Sequence, residues 1–433
     1  MTLLCPDCFG ETGLKKRIEE IRPNFPNDKC TFHPTKKGVP IADVAVIVDD
    51  VFRSHYGFAE SNQYIDSNGD TLKTLVGELV EADEEVTKLL SAQLIEDDDY
   101  WPPDGGEAFY GDDIEYTRYG PAGYHHSQLW MKFCQSIVHN QRFFNSNAKA
   151  LISELFEGIH LQTDQDKNSA VYQLQPNLPD SVFYRARLAQ EDFIYEQIIA
   201  EPIQELGPPP ERKRRPGRMN PAGVSTFYGA FDLETCIAEL RPRVGARIVG
   251  ARFSLQRAIY VLDTTRFQKP IKPMSLFMKD YIVRSQQWQF MQRFMDEIAS
   301  PISPNDENLD YIPTQAVAEY LVHHHEFKRE GKSVHIEGVI YKSAQHPGGR
   351  NIALLSDAAK IFSPVAPHRK EAKRISLDIY SDSASSILSE GRGNPLYTLK
   401  LVEDSLKTLR VHGAQYEAQE ITEADYLDPE LDF

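Results

Sequence analysis

The hydrophobic period of the chain changes near residue 181, and that change limits what it can fold into. Between residues 41 and 175, apolar residues recur at i, i+3 and i+4, the spacing of helices with one buried face. Segments 42–52, 72–90, 129–144 and 148–156 carry this pattern, with Trp130, Phe133, Ile137 and Phe144 as an expected core stripe. From residue 181 the runs shorten and alternate. In 182–187 the alternation puts Phe183, Arg185 and Arg187 on one strand face. Strands are expected at 225–228, 251–263 and 338–343, with helices at 233–240, 285–298 and 313–321 between them. Asp232 is a natural N-cap for a helix whose buried stripe is Leu233, Cys236, Ile237 and Leu240. Pro313 would open its helix, and 347–349 is a turn. The polar segment 161–180 reads as a linker. Beyond about residue 360 come a basic and then serine-rich stretch, a β-hairpin (395–402 with 406–416) and an acidic tail. No solenoid-type repeat is present. The expected fold class is α+β in four parts: 1–40, 41–175, 176–360 and 361–433.

Charge follows the same division. The 433 residues carry a net charge of −17, which argues against a general duplex binder or an anionic-membrane protein. The charge is not spread evenly. Residues 81–115 hold thirteen acids and one base, Lys88, and residues 403–432 hold nine acids and two bases. Residues 181–355 hold 23 bases and 20 acids, so the β-rich part is slightly positive. Much of the acidic excess lies in 96–123, a segment rich in Gly, Pro and Tyr that reads as a long loop. Five cysteines are too few for a disulfide framework. The first residues lack a signal-peptide pattern, and no apolar run approaches a membrane span. The expected setting is a reducing cytosol.

Three of the cysteines fall in one array. Cys5 and Cys8 form one x₂-spaced pair, and Cys30 and His33 form a second, with 21 residues between the pairs. Each pair can sit on a tight turn, and together they make a tetrahedral donor set suited to structural Zn²⁺. Between the pairs, 14–21 can form a short helix.

Several polar residues downstream occupy positions that packing does not demand. Arg185 and Arg187 on one strand face, with Arg218 in a Gly-Arg-Met-Asn loop, could clamp a diphosphate through their guanidinium forks, a solvated strand edge being the competing reading. Glu239 lies off its helix's apolar stripe. Ser343 ends an apolar strand just before a flexible turn, and Tyr228 sits on a strand either as a core aromatic or as a stacking face. The run Arg212-Lys-Arg-Arg215 in a proline-rich loop reads as a solvated face, and His323-His-His325 as a favourable helix end. Arg118 and His125 have the R-x₆-H spacing of some ribonucleases, but the intervening Tyr-Gly-Pro-Ala-Gly-Tyr cannot hold both on one helical face.

The order of these pieces resembles the RES-domain family, named for its Arg, Glu and Ser. The pieces are Tyr-Arg-Ala-Arg (184–187), Gly-Arg-Met-Asn (217–220), Tyr228-Gly-Ala, Ala-Glu (238–239), Tyr311-Ile-Pro-Thr-Gln315 and Gly-Val-Ile-Tyr-Lys-Ser (338–343). The Cys-x₂-Cys pair followed by a helical region also looks like the segment called HEPN/RES N-terminal, with His33 where a cysteine-type ligand would be expected. The resemblance implies an ADP-ribosyltransferase-like fold in 176–360, preceded by a zinc knuckle and a mostly helical domain. It further implies a toxin-like enzyme that binds NAD⁺ and breaks its nicotinamide–ribose bond, as NAD⁺ phosphorylase (with inorganic phosphate) or glycohydrolase, restrained by an Xre-like antitoxin. Carried over, Arg185 is the first-strand arginine, Arg218 the loop arginine, Tyr228 the aromatic, Glu239 the acid and Ser343 the serine; Arg187 joins them through the strand alternation. Glu239, Tyr228 and Ser343 are then catalytic, and the three arginines bind substrate. Transfer of ADP-ribose to a macromolecule and non-catalytic nucleotide sensing remain open beside this reading.

Overall fold

The computed structural model describes residues 2–59, 69–98, 108–118, 124–299, 307–363 and 397–413. Half of the acidic loop, the serine-rich stretch and most of the acidic tail lie outside the described residues. The chain divides into two compact units.

The first unit comprises Met1–Lys132, Leu155–Asn168 and Lys269–Arg293. Strand β1 (Leu3–Leu4) pairs with β2 (Val39–Pro40), so the two ends of the first forty residues meet. Helix α1 (Thr12–Ile21) lies between them, capped by Glu11, whose carboxylate accepts from Leu14 N at 2.6 Å. Then come α2 (Ile41–His55), β3 (Tyr56–Phe58), β4 (Asp70–Thr71), α3 (Leu72–Val80) and α4 (Glu84–Glu96). The expected single helix over 72–90 is therefore two. Glu81 takes φ +51°, a left-handed turn that stops the i→i−4 ladder, and extended Asp83 starts the next helix. Leu75, Val76 and Leu90 share one core with Cys5, Leu14 and Ile18, and with Val44, Val48 and Phe52 of α2. The stretch read as a loop contains a strand: β5 (Glu115–Arg118) pairs with β3 and β4. Tyr116 is the cause, because its ring is buried and its hydroxyl donates to Phe109 O at 2.6 Å.

Helix α5 (Tyr124–Gln135) runs into a π-helical turn, Ser136–Asn140, and α6 (Ser146–Phe156) follows. Phe133 and Ile137 are buried as expected, but Phe144 is fully exposed. The helix stops at Asn140 and Phe144 takes φ +56°, so the stripe never reaches it.

The second unit comprises Phe133–Glu154, Ser169–Gln268 and Phe294–Phe433. Its strands are β6 (Val171–Leu174), β7 (Val182–Leu188), β8 (Thr226–Ala230), β9 (Arg247–Leu255), β10 (Ile259–Asp263), the hairpin β11 (Glu326–Arg329) and β12 (Lys332–His335), β13 (Gly338–Lys342), β14 (Arg350–Leu355), β15 (Leu399–Leu401) and β16 (Lys407–Arg410). Apart from the hairpin they form a nine-stranded sheet in the order β15-β9-β7-β8-β14-β13-β10-β6, with β16 also on β9. Only β10 and β13 run parallel. The helices are α7 (Asp192–Ala200), α8 (Pro202–Leu206), α9 (Leu233–Glu239) and α11 (Glu307–His323), while α10 (Tyr281–Ala299) belongs to the first unit as far as Arg293. Phe183, Phe227, Phe253, Ile340 and Leu354 fill the core on one sheet face, with Ile198 of α7 and Leu206 of α8 over them. The fold is thus mixed α and β.

Four expectations are corrected here. The linker holds β6, which forms the sheet edge by pairing with β10 through buried Val171 and Leu174. The strand read over 251–263 is two, β9 and β10, because the chain leaves the ladder at Gln256–Ala258. The C-terminal segments are not each other's hairpin partners: β15 and β16 pair with successive halves of β9. Pro313 lies inside α11, not at its start; the proline forfeits its bond to the carbonyl of Leu309, in a turn whose leucine is half-exposed.

Candidate functional site

The first unit holds a compact donor cluster. Cys8 N bonds to Cys5 O at 3.0 Å in one turn, and His33 N donates to Cys30 Sγ at 3.4 Å in the other. The pairing of β1 with β2 brings the turns together. Cys5 Sγ lies 3.9 Å from Cys8 Sγ and 3.4 Å from His33 Nδ1, while Cys8 Sγ lies 3.5 Å from both Cys30 Sγ and His33 Nδ1. A tetrahedral ion with S–metal bonds of about 2.3 Å needs donors roughly 3.8 Å apart, so the cluster could hold such an ion. All three thiols are buried. Burial raises the pKa of Cys5 and Cys8, whereas at Cys30 hydrogen bonds from His33 outweigh burial and bring the thiol down to about 7.

In the second unit, α9, β13 and β14 converge on a polar cluster. Asp232 caps α9 as the sequence indicates, its carboxylate accepting from Thr235 N at 2.7 Å. The helix ends on Glu239, which is exposed. Glu239 Oε1 accepts from Ser343 Oγ at 2.6 Å and from Asn351 Nδ2 at 2.7 Å. Ser343 follows β13, and Asn351 lies on the adjacent β14, where it is 4% exposed. Ser343 lines a cleft of about 590 Å³ together with Lys342, Arg350, Thr265, Gln268, Asp296 and the 347–349 turn.

Tyr228 of β8 fastens the loop that carries Arg218. Its hydroxyl donates to Asn220 Oδ1 at 2.8 Å and accepts from Met219 N at 2.9 Å. Gly217 lets the loop lie against the ring: a Cβ there would sit 2.9 Å from the tyrosine oxygen. Thr314 Oγ1 and Gln315 Nε2 of α11 donate to the carbonyls of Arg218 and Gly217. The Arg218 guanidinium lies over Tyr311 at 5.6 Å and donates to Ile298 O at 2.6 Å. Burial raises the pKa of Tyr228, with Arg185 and Arg218 opposing.

Strands β7 and β8 share a single register pair, Tyr184 with Ala230. Arg185 Nη1 donates to Tyr228 O at 3.2 Å, and the guanidinium lies 5.2 Å from the Phe227 ring. Burial lowers its pKa to about 10, even with Cys236 and Tyr228 favouring the charge. Arg187, although two residues along the same strand, is not brought to this cluster. It is exposed and forms an ion pair with Glu205 of α8. Glu239, Ser343, Tyr228, Arg218 and Arg185 therefore gather around β8, β13 and α9, and Arg187 does not.

Sequence reasoning missed three residues. Tyr341 of β13 is one: burial raises its pKa, joined by Tyr228 and Glu239 and opposed by Arg218. Asn351 lies on β14, a strand the hydrophobic pattern does not announce, although the apolar run 352–355 follows it directly. Thr235 is fully buried on the face read as polar, while Leu233, Ile237 and Leu240 are half-exposed. Its hydroxyl donates to Asp232 Oδ2 at 2.8 Å and meets His346 Nδ1 at 2.8 Å. Among the other candidates, Arg214 bonds the carbonyls of Pro209 and Gly223 within its own loop, and Arg118 ends β5 while His125 belongs to α5.

The family model described as RES domain matches residues 182–378. No curated protein and no solved structure matches the chain.

Proposed function

Because residues 182–378 match the RES-domain family model, we propose that the protein is an NAD⁺-degrading enzyme that cleaves the nicotinamide–ribose bond. The observation that carries this reading is the disposition of Glu239. One carboxylate oxygen is anchored by Ser343 and Asn351; the other has no hydrogen-bond partner among the described residues, on an exposed side chain. A fixed carboxylate with one free oxygen suits a ribose that passes through an oxocarbenium-like state. The C1′–N1 bond breaks, its electron pair leaves with nicotinamide, and the new bond to C1′ comes from water or inorganic phosphate, whose proton goes to solvent. Arg185 and Arg218 supply guanidinium groups for the pyrophosphate, and Tyr228 an aromatic face for the cationic pyridinium. Arg187 joins them only if its ion pair with Glu205 opens. The reading includes an ADP-ribosyltransferase-like fold for this unit, a toxin-like role in the cytoplasm and restraint by an Xre-like antitoxin. No helix among the described residues is long and apolar enough to cross a membrane.

For the first unit we infer Zn²⁺ at Cys5, Cys8, Cys30 and His33, in a HEPN/RES N-terminal-type segment. Four protein ligands close the coordination shell, so the ion would hold the turns together rather than perform chemistry.

Incubation of the purified protein with NAD⁺, with and without inorganic phosphate, tests the function. Nicotinamide release that requires phosphate means phosphorolysis, release without phosphate means hydrolysis, and label on protein or RNA means transfer to a macromolecule. Saturable binding without turnover means a sensor. Equal NAD⁺ consumption by wild type and Glu239→Gln would remove Glu239 from the chemistry.

A further inference from the structure

We propose that Ser343 and Asn351 are positioning residues that jointly aim Glu239, and that Ser343 makes no contact of its own with substrate; this rests on the NAD⁺-cleaving reading of the same site. A serine hydroxyl has one proton to give and two lone pairs to fill. At Ser343 all three are committed: the proton goes to Glu239 Oε1 at 2.6 Å, and the backbone N–H groups of Gln345 and His346 each reach Oγ at 3.1 Å. A ribose hydroxyl or a carboxamide could bond to Ser343 only by displacing one of these. Displacing the proton's partner would release the carboxylate the reaction uses.

Asn351 completes the arrangement from the other side. It is buried, and its amide gives Glu239 Oε1 a second donor at 2.7 Å. Oε1 is therefore held by two donors from two neighbouring chain segments, which fixes the carboxylate plane and leaves Oε2 as its reactive oxygen. Asparagine and serine add no charge, so the arrangement orients Glu239 without neutralising it.

The turn that carries Ser343 is itself fastened to both ends of α9. Ser343 N donates to Gly349 O at 2.9 Å, and Gly349 N to His346 O at 2.9 Å. The Thr235 hydroxyl spends its proton on Asp232, so its oxygen accepts from His346 Nδ1–H, at 2.8 Å. One end of the turn thus grips the first turn of the helix through Thr235, and the other grips its last residue through Glu239. Gly349 makes the close approach feasible, since a Cβ there would lie 2.3 Å from Thr235 Oγ1. A helix of seven residues, Leu233–Glu239, frays easily at its end on its own. Pinned at both ends, it presents Glu239 in one place.

The test separates kcat from KM. Ser343→Ala and Asn351→Ala are each expected to lower kcat for NAD⁺ roughly 10- to 100-fold, the cost of a loosened catalytic group, with KM changed less than about two-fold. Ser343→Thr keeps the hydroxyl and is expected to recover most of the rate. In a Glu239→Gln background, adding Ser343→Ala should leave the NAD⁺ dissociation constant, read by titration calorimetry, unchanged. A tenfold weaker binding there, or a tenfold higher KM with kcat intact, would mean that Ser343 touches substrate and would overturn the proposal. Should Asn351→Ala not fold, Asn351→Ser is measured in its place, and wild-type kcat in that variant counts against Asn351. A wild-type protein that leaves NAD⁺ untouched sinks the functional reading itself, whereas an active wild type with substrate-binding defects in Ser343→Ala sinks only this inference.

Discussion

Replacing Tyr228 by Phe removes one oxygen and isolates its contribution to the site. That oxygen donates to Asn220 Oδ1 and accepts from Met219 N, and both loop residues are nearly inaccessible, at 4% and 3% exposure. Water cannot take over either bond at that burial. An unmet buried donor or acceptor costs about 1–3 kcal/mol, and Asn220 keeps its three amide bonds to the carbonyls of Arg215, Pro221 and Val224. The net penalty is therefore about 2–4 kcal/mol, concentrated on the loop between Gly217 and Asn220. At about 1.4 kcal/mol per factor of ten, the Met219 amide should exchange its hydrogen roughly 30- to 1,000-fold faster. Because Arg218 precedes that amide, KM for NAD⁺ should rise, while the ring, still present, leaves the pyridinium contact in place. The assay is hydrogen exchange resolved at Met219, paired with steady-state kinetics. Wild-type exchange at Met219 in Tyr228→Phe would refute the reasoning, since the hydroxyl would then not be holding the loop.

Arg185→Gln should weaken NAD⁺ binding at least tenfold on the proposed function, whereas Arg187→Ala, which breaks only an ion pair with a half-exposed arginine, should change KM less than about two-fold; equal effects would contradict the division of the two arginines. Full-length protein should contain one equivalent of zinc by metal analysis, Cys30→Ala almost none, and chelation should lower the midpoint of unfolding of the unit whose core includes Cys5, Leu14 and Ile18. Asp98 gives a pH-dependent case. Burial opposes its charge, but the backbone N–H groups of Tyr110 and Phe109 and the Arg53 guanidinium outweigh it and hold its pKa below the ordinary carboxyl value. A carboxyl lowered by folding stabilises at pH values above its unfolded pKa, about 3.9, and loses that contribution as pH falls through the folded value. Asp98→Asn should thus cost about 1–3 kcal/mol at pH 7 and progressively less as pH falls below about 3.9; a deficit that stays constant with pH would be evidence against this.

The local readings that held are those in which neighbouring residues decide the outcome. Asp232 announces the start of α9 because a cap needs only its own carboxylate and the amide three residues on. The Cys-x₂-Cys and Cys-x₂-His pairs announce tight turns for the same reason. Phe133 and Ile137 follow from helical period alone. Phe144 does not, because a π-helical turn and a left-handed residue intervene, and neither leaves a mark in hydrophobicity. The same holds for Glu81, whose left-handed φ divides an uninterrupted apolar pattern into two helices.

The sequence alone determined the inventory of chemistry: four metal-type donors at tetrahedral spacing, and an ordered set of Arg, Tyr, Glu and Ser in a slightly basic segment. It also determined the change from helical to alternating period, which separates the two kinds of structure. Tertiary structure alone decided which members of that inventory act together. Arg185 and Arg187 have identical strand credentials, yet one bonds to the Tyr228 carbonyl and the other to Glu205, because β7 parts from β8 after one register pair. Glu239 and Asn351 are 112 residues apart and 2.7 Å from bonding atom to bonding atom. Sheet order set that distance, and strand partners far along the chain depend on the packing of the whole core rather than on any local preference.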